Sequence, residues 1–110
     1  MKLTTNKKIS NVIYQLELLS LYKALLTSRQ IKYFKLYFEQ NLTYAEIAKM
    51  FKITRAAVGE TISKTKEQLK FFETKLHLLE LSQKRMVLLQ KIQDDKLRNA
   101  LIKLEDKSRC

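Results

Sequence analysis

The chain has 110 residues, 45% of them hydrophobic, with one Gly, no Pro, and 22 Lys plus Arg against 11 Asp plus Glu, for a net charge of +11. Turns with positive φ are usually supplied by Gly, so a chain whose only Gly is Gly59 is poorly equipped for a sheet, and a single all-α domain over 1–110 is expected. At this size about two-thirds of the unfolded surface is hidden on folding, enough for one core without staples, and a hydrophobic fraction near half argues against disorder. The charge points to a polyanion, although 17 of the 22 basic residues are Lys and a biased genome composition would give the same excess.

Cys110 is the only cysteine and the last residue, so neither a disulfide framework nor a metal-ligand spacing is present, which suits a reducing cytoplasm. Lys2, Lys7 and Lys8 before an apolar stretch have the outline of a signal peptide. Gln15, Glu17 and Ser20 interrupt that stretch, and neither secretion nor membrane insertion is expected. Enzyme chemistry is poorly supplied: there is one His, no Gly-rich phosphate loop and no nucleophile elbow, so no catalytic residue, cofactor or metal is assigned. His77 reads as a structural or surface histidine, and Asp94-Asp95 as a helix start rather than paired catalytic carboxylates.

In chain order, Ile9, Ile13, Leu16, Leu19, Tyr22, Leu25 and Leu26 recur at spacings of three and four and mark a first helix over 9–26. Thr27 and Gln30 form a capping box that starts a second, with Ile31, Phe34, Leu36 and Phe38 on its apolar side and Asn41 as a left-handed stop. Thr43 and Glu46 make another box, Leu42 can staple onto Ile47 across it, and a short helix follows over 44–51. Thr54 is the natural N-cap of a long helix from Arg55. Its stripe of Val58, Ile62, Thr65, Leu69, Phe72, Leu76 and Leu79 slips in phase to Leu81, Leu88 and Ile92, predicting a bend or new helix near Ser82. A last helix starts at Asp94 or Asp95 with Leu97, Leu101 and Leu104 inward, and the final five residues are expected to fray.

A short helix and a Thr-capped second helix separated by about three residues form the pattern of a helix-turn-helix over 43–70. Small Ala48 stands where the two must cross, Ile47 and Phe51 face the core, Ile53 plugs the turn, and Val58 and Ile62 anchor the second helix. Its outward face then carries Thr54, Arg55, Ala56, Gly59, Glu60 and Ser63, with Lys64, Lys66 and Lys70 further along and Lys49 and Lys52 flanking the turn. Thr54 and the first amides suit a phosphate oxygen, and Arg55 a guanine edge or a phosphate. The same geometry also occurs as plain packing, and base-reading chemistry is thin. Ala56 offers only a methyl, Gly59 costs about 1 kcal/mol in a helix interior, and Glu60 repels phosphate. Lys52 holds the turn position usually given to Gly.

The run from Ala24 to His77 resembles the YlxM-like family of small bacterial proteins, whose helix-turn-helix is similar to region 4 of sigma factors. The matching elements are LLT-x-x-Q-x-x-Y-x-x-LY, AEIA and FETKLH, about half the chain, and the tail agrees in length and helical character. The resemblance implies an all-helical fold, a homodimer, and a gene beside those for the signal recognition particle GTPase or its receptor. From that neighbourhood it implies a part in co-translational protein targeting without catalysis. Family members commonly read V-S-R-Q-A-V where this chain has Ile53-Thr54-Arg55-Ala56-Ala57-Val58, so a Gln able to pair with adenine is gone, and Gly59 and Glu60 replace a larger residue and an Asp. These departures keep the fold signals and remove readout chemistry.

Three readings follow. The first is an accessory protein of the signal recognition particle pathway that contacts its RNA, its GTPase or both, with Tyr14, Tyr22, Tyr33, Tyr37 and Tyr44 available either for base stacking or, at helical spacing, for the core. The second is a DNA-binding regulator built like a free-standing sigma region 4. The third is a helical scaffold dimerising through the tail, 71–105. The stripe of Leu69, Phe72, Leu76 and Leu79 fits such a dimer and intrachain packing equally well.

Overall fold

A computed structural model describes residues 8–107, which form six helices with no strand among them. Lys2, Lys7, Cys110 and the end of the expected frayed tail lie outside the described residues.

Helix α1 covers Ile9–Tyr22 and tightens into a single 3-10 turn, Lys23–Leu25, rather than running to residue 26. The next cap is the reason. Leu26 must be extended (φ −113°, ψ 158°) to lead into Thr27, and the α geometry is abandoned before it. Ile9, Ile13 and Leu25, placed on the inner face by periodicity, are exposed, and the burial falls on Leu18, Leu19 and Tyr22.

Helix α2, Ser28–Phe38, starts on the expected capping box: Gln30 N–H donates to Thr27 Oγ1 (3.1 Å) and Thr27 N–H to Gln30 Oε1 (3.0 Å). Gln30 is buried, and its Nε2 donates to Gln68 Oε1 at 2.6 Å, so the residue that begins α2 also ties it to a helix nearly forty positions away. The helix ends where Asn41 turns left-handed (φ 57°) and Leu42 N–H reaches back to Leu36 O (3.0 Å).

Helix α3, Tyr44–Phe51, has the second box between Thr43 and Glu46. Lys52 (φ 56°) closes it in the left-handed region, with Ile53 N–H on Ala48 O at 3.1 Å. Helix α4, Arg55–Leu76, is capped by Thr54, whose Oγ1 accepts Ala57 N–H (3.0 Å). Its buried residues are Val58, Ile62, Thr65 and Leu69. Thr65 Oγ1 donates to Thr61 O at 2.7 Å, so no hydroxyl is left wanting in the core. Packed on α1, α2 and α3 at once, α4 is the beam of the domain.

The phase slip near Ser82 is not where the chain turns. The corner is at His77, left-handed at φ 55°, and α5 runs from Leu78 to Leu89 straight through a buried Ser82 that bonds to Glu105. The cause is a long-range junction. Tyr22 OH donates to Glu73 Oε1 (2.7 Å) and accepts Leu78 N–H (3.1 Å), while the Glu73 carboxylate accepts Leu79 N–H (3.0 Å) and Glu80 N–H (3.1 Å). Three of the free amides at the start of α5 are thereby satisfied by side chains of α1 and α4. His77 is an exposed corner residue whose Nδ1 lies 3.2 Å from Glu80.

Helix α6, Asp95–Lys107, begins at Asp94, which accepts Leu97 N–H (3.1 Å). Leu97 and Leu104, expected inward, are exposed and of the three only Leu101 is half-buried, because α6 packs chiefly on α5, which covers part of its apolar side.

Gly59 is half-buried with ordinary helical φ, and a Cβ there would stand 3.4 Å from two ring carbons of Tyr44, an ordinary van der Waals distance. Gly59→Ala should therefore stabilise the fold by about 0.5–1 kcal/mol through helix propensity, read as a higher urea midpoint at constant m. A fall in the midpoint would mean that the Tyr44 ring cannot give way. Burial and Glu73 raise the Tyr22 phenol from 10.0 to about 12. A raised folded value keeps the proton on in the native state, so this contribution is whole below pH 10 and is lost as pH rises towards 12. Tyr22→Phe should lower stability by about 1–2 kcal/mol at pH 7 and flatten part of the alkaline decline. An unchanged slope between pH 10 and 12 would exclude Tyr22 as its source.

Candidate nucleic-acid interface

The helix-turn-helix is set by α3 and α4 crossing at buried Ala48, with Ile47, Val58 and Ile62 fully enclosed beneath. Phe51 is half-buried, its ring 5.0 Å from that of Tyr33. Ile53 does not plug the turn: it is 38% exposed, because the Phe51–Tyr33 pair already fills the space under the left-handed Lys52.

Of the sequence-derived candidates, Lys49, Lys52, Thr54, Arg55, Ala56, Ser63, Lys64 and Lys70 are exposed, and Lys66 is half-buried. Gly59 lies against Tyr44 and offers little to an incoming molecule. The Thr54 hydroxyl is spent on its own cap, leaving the first α4 amides and Arg55 as the donors at that end. Glu60 stands exposed on the same helix.

The structure adds α2 to this face. A groove between α2 and the turn is lined by Ser28, Arg29, Lys32, Tyr33, Phe51 and Ile53, and Lys32 Nζ lies 5.7 Å from the Phe51 ring centroid. Arg29, Lys32 and Lys35 are exposed on α2, which contains no acidic residue. That was the available signal in the sequence, a helix with three cations and no acid, but only folding shows that it borders the turn. Among the described residues, none of Arg29, Lys32, Lys35, Lys49, Lys52, Arg55 and Lys64 has an ion-pair partner. The ion pairs of Lys84 with Glu80, Arg85 with Glu105 and Arg98 with Asp95 all sit on α5 and α6. The arrangement can neutralise a phosphate backbone, and it has few groups that could read a base edge.

The tyrosines divide. Tyr22 and Tyr33 are core. Tyr37 and Tyr44 are half-buried with rings 4.7 Å apart, and burial together with Tyr44 lifts the Tyr37 phenol to about 12. Tyr14, 44% exposed, is the one open to a base among the described residues. In the stripe read as a dimer seam or intrachain packing, Leu69 and Leu79 lie in the chain's own core and Phe72 is half-buried, 5.7 Å from the Tyr22 ring. Leu76 opens to solvent.

The three sequence elements behind the resemblance acquire structural roles. Thr27 and Gln30 cap α2, Glu46 caps α3, Ala48 permits the crossing, and Glu73 and His77 build the α4–α5 corner. Residues 9–108 match the model of a family described as "Putative helix-turn-helix protein, YlxM / p13 like". Among curated relatives, a UPF0122 protein of Mycoplasma capricolum subsp. capricolum is 38% identical over 84% of this chain and 81% of its own length. Another from Mycoplasma pneumoniae is 35% identical over 88% and 95%, and one from Halalkalibacterium halodurans is 38% identical over 70% and 71%. The chain belongs to this UPF0122 family of YlxM / p13-like helix-turn-helix proteins.

Proposed function

We propose that this protein is a non-enzymatic, cytoplasmic accessory factor of the signal recognition particle pathway that holds RNA by its phosphate backbone. The pathway rests on the family resemblance. The backbone mode rests on one observation, the cations of α2, the turn and the start of α4 that have no ion-pair partner among the described residues: Arg29, Lys32, Lys52 and Arg55. Cations outside any intramolecular ion pair lose none when a phosphate arrives, and each phosphate neutralised releases condensed counterions. The second α4 face carries Ala56, Gly59 and Glu60 where a sequence reader would carry Gln, Asn or Arg, which disfavours the sigma-like DNA regulator. Contact with the pathway's GTPase or its receptor is compatible with the same reading.

Binding of the particle's RNA and of duplex DNA, titrated with salt, tests it. With about six phosphates engaged, affinity should fall about a thousandfold between 50 and 200 mM salt. Lys32→Ala and Lys52→Ala should each reduce the log–log slope by about one, equally for all sequences. No binding at 50 mM salt would sink the proposal. Sequence-dependent DNA binding abolished by Arg55→Ala would replace it with the regulator.

A homodimer has a separate support. Leu81, Val87, Leu88, Leu97 and Leu104 are exposed on α5 and α6, and the groove between these helices is lined by Leu88, Leu89, Leu101 and Leu104 with the Arg85–Glu105 ion pair at its side. Clustered apolar exposure of this kind marks an association surface. The wild type should run in light scattering at twice the chain mass, and Leu88→Asp with Leu104→Asp at the chain mass with its helicity kept. A wild type that stays monomeric at 100-fold higher concentration would remove the dimer.

A further inference from the structure

The corner at His77 is not written in its own neighbourhood. Between Glu60 and Gln90 the chain contains neither Gly nor Pro. Leu69 and Phe72 on the covered side of α4 and Leu79 and Ser82 on that of α5 are joined through Leu76 at steps of three and four, as in one unbroken helix. Leu76 is the step that the corner displaces: it belongs to this face by spacing and is 49% exposed. His77 itself carries a Cβ that disfavours the left-handed region it occupies at φ 55°.

What holds the bend comes from elsewhere in the fold. Tyr22 OH accepts Leu78 N–H (3.1 Å), and the Glu73 carboxylate accepts Leu79 N–H (3.0 Å) and Glu80 N–H (3.1 Å). A helix running straight through the corner offers the same three amides the carbonyls of Thr74, Lys75 and Leu76. The amides thus have two complete and mutually exclusive sets of acceptors, side chains when the chain is bent and backbone when it is straight. Tyr22 and Glu73 keep their bond to each other in both, since neither belongs to α5.

Straightening has one large consequence. Leu79, buried at 2% exposure, is the residue by which α5 joins the core of Leu18, Leu19 and Tyr22, and α5 packs on α1. A straight chain withdraws Leu79 and leaves that part of α1 uncovered. The side chain that fits the vacated place is Leu79 of an identical chain. A short, strained hinge between two packed elements is the arrangement in which copies exchange such elements at low cost.

We propose that His77 is a two-state hinge: bent in a lone chain, and straight in a pair, where α4 and α5 become one helix over 55–89 and each hairpin of α5 and α6 seats its Leu79 against α1 of a second copy. The core that a straight chain leaves open is completed by its partner. This goes beyond the RNA reading and does not rest on it, nor on association through the exposed leucines of α5 and α6.

Two substitutions at one position separate the states. His77→Ala and His77→Gly both remove the imidazole and its contact with Glu80, but Ala favours the straight helix and Gly the left-handed corner. Both are made in the full chain with Leu88→Asp and Leu104→Asp, which removes the exposed leucine face, and with Cys110→Ser. Spin labels are placed through Ser63→Cys and Gln83→Cys, and labelled chains are diluted in unlabelled ones. In His77→Ala the label separation should lengthen to about 30 Å, that of one straight helix, and the mass in light scattering should double. Isotope-filtered NOEs should then link Leu79 of one copy to Tyr22 of the other. His77→Gly should keep a shorter separation and the chain mass. Glu73→Ala, which leaves the imidazole in place, should lengthen the separation as His77→Ala does. An unchanged separation in His77→Ala and Glu73→Ala, or the same lengthening in His77→Gly, overturns the hinge. Lengthening at the chain mass overturns the exchange. The wild type, mixed at high concentration from two differently labelled preparations, should show the same Leu79–Tyr22 NOEs between copies, and their absence overturns the exchange even where a variant fails to fold.

Discussion

With one glycine and no proline, every corner of this chain has to be made by side-chain hydrogen bonds or by a residue that tolerates the left-handed region at a cost. Thr27, Thr43, Thr54 and Asp94 begin helices by accepting backbone amides, and Asn41, Lys52 and His77 supply the three positive-φ turns among the described residues. Each such non-Gly turn costs about 1–2 kcal/mol, so each needs a local reward. At His77 the reward is largest: the Glu73 carboxylate and Tyr22 hydroxyl together take three amides at the start of α5. That junction decides where α4 ends and how the C-terminal pair α5 and α6 attaches to α1.

The same constraint explains the uneven burial. α1 to α4 share one core from Leu18 through Leu69, with Leu79 as the contribution of α5. Beyond Leu79 the two helices pack chiefly on each other, which buries Leu89 and half-buries Leu101 but leaves Leu81, Leu88, Leu97 and Leu104 exposed. A hairpin built this way is held to the body by hydrogen bonds at its root more than by apolar area along its length. Three of its cations, Lys84, Arg85 and Arg98, are paired with its own acids, and beside them it exposes an apolar groove.

Local chemistry was legible in the sequence and long-range chemistry was not. Capping boxes are written within four residues, and both were placed to the residue, as were Thr54 as a cap and the left-handed Asn41. The corner at His77 could not be found by periodicity, because its cause is a contact between Tyr22 and Glu73 across fifty-one positions, and the apolar stripe runs on through the corner undisturbed. The period of Leu97 and Leu104 marks an apolar face but does not say whether another element covers it, and the position of Ile53 after α3 does not reveal that Phe51 packs on Tyr33 beside the turn. The cations of the helix-turn-helix were readable in place. Those of α2 were visible as a composition but not as a neighbour of the turn, since adjacency between α2 and the turn is a property of the packed core.

That adjacency has a single polar fastener. Gln30 completes the cap of α2 with its oxygen and reaches Gln68 of α4 with its nitrogen, both from a buried side chain, so one amide fixes where α2 starts and how it lies along α4. The distance between Arg29 or Lys32 on one helix and Arg55 or Lys64 on the other is therefore set by the interior rather than by the flexible lysine stems. A phosphate backbone has a fixed repeat, and cations on two rigid elements can match it without first paying the entropy of ordering a loop. What the Gln30–Gln68 bond fixes is the relative placement of the two helix backbones from which these cations project.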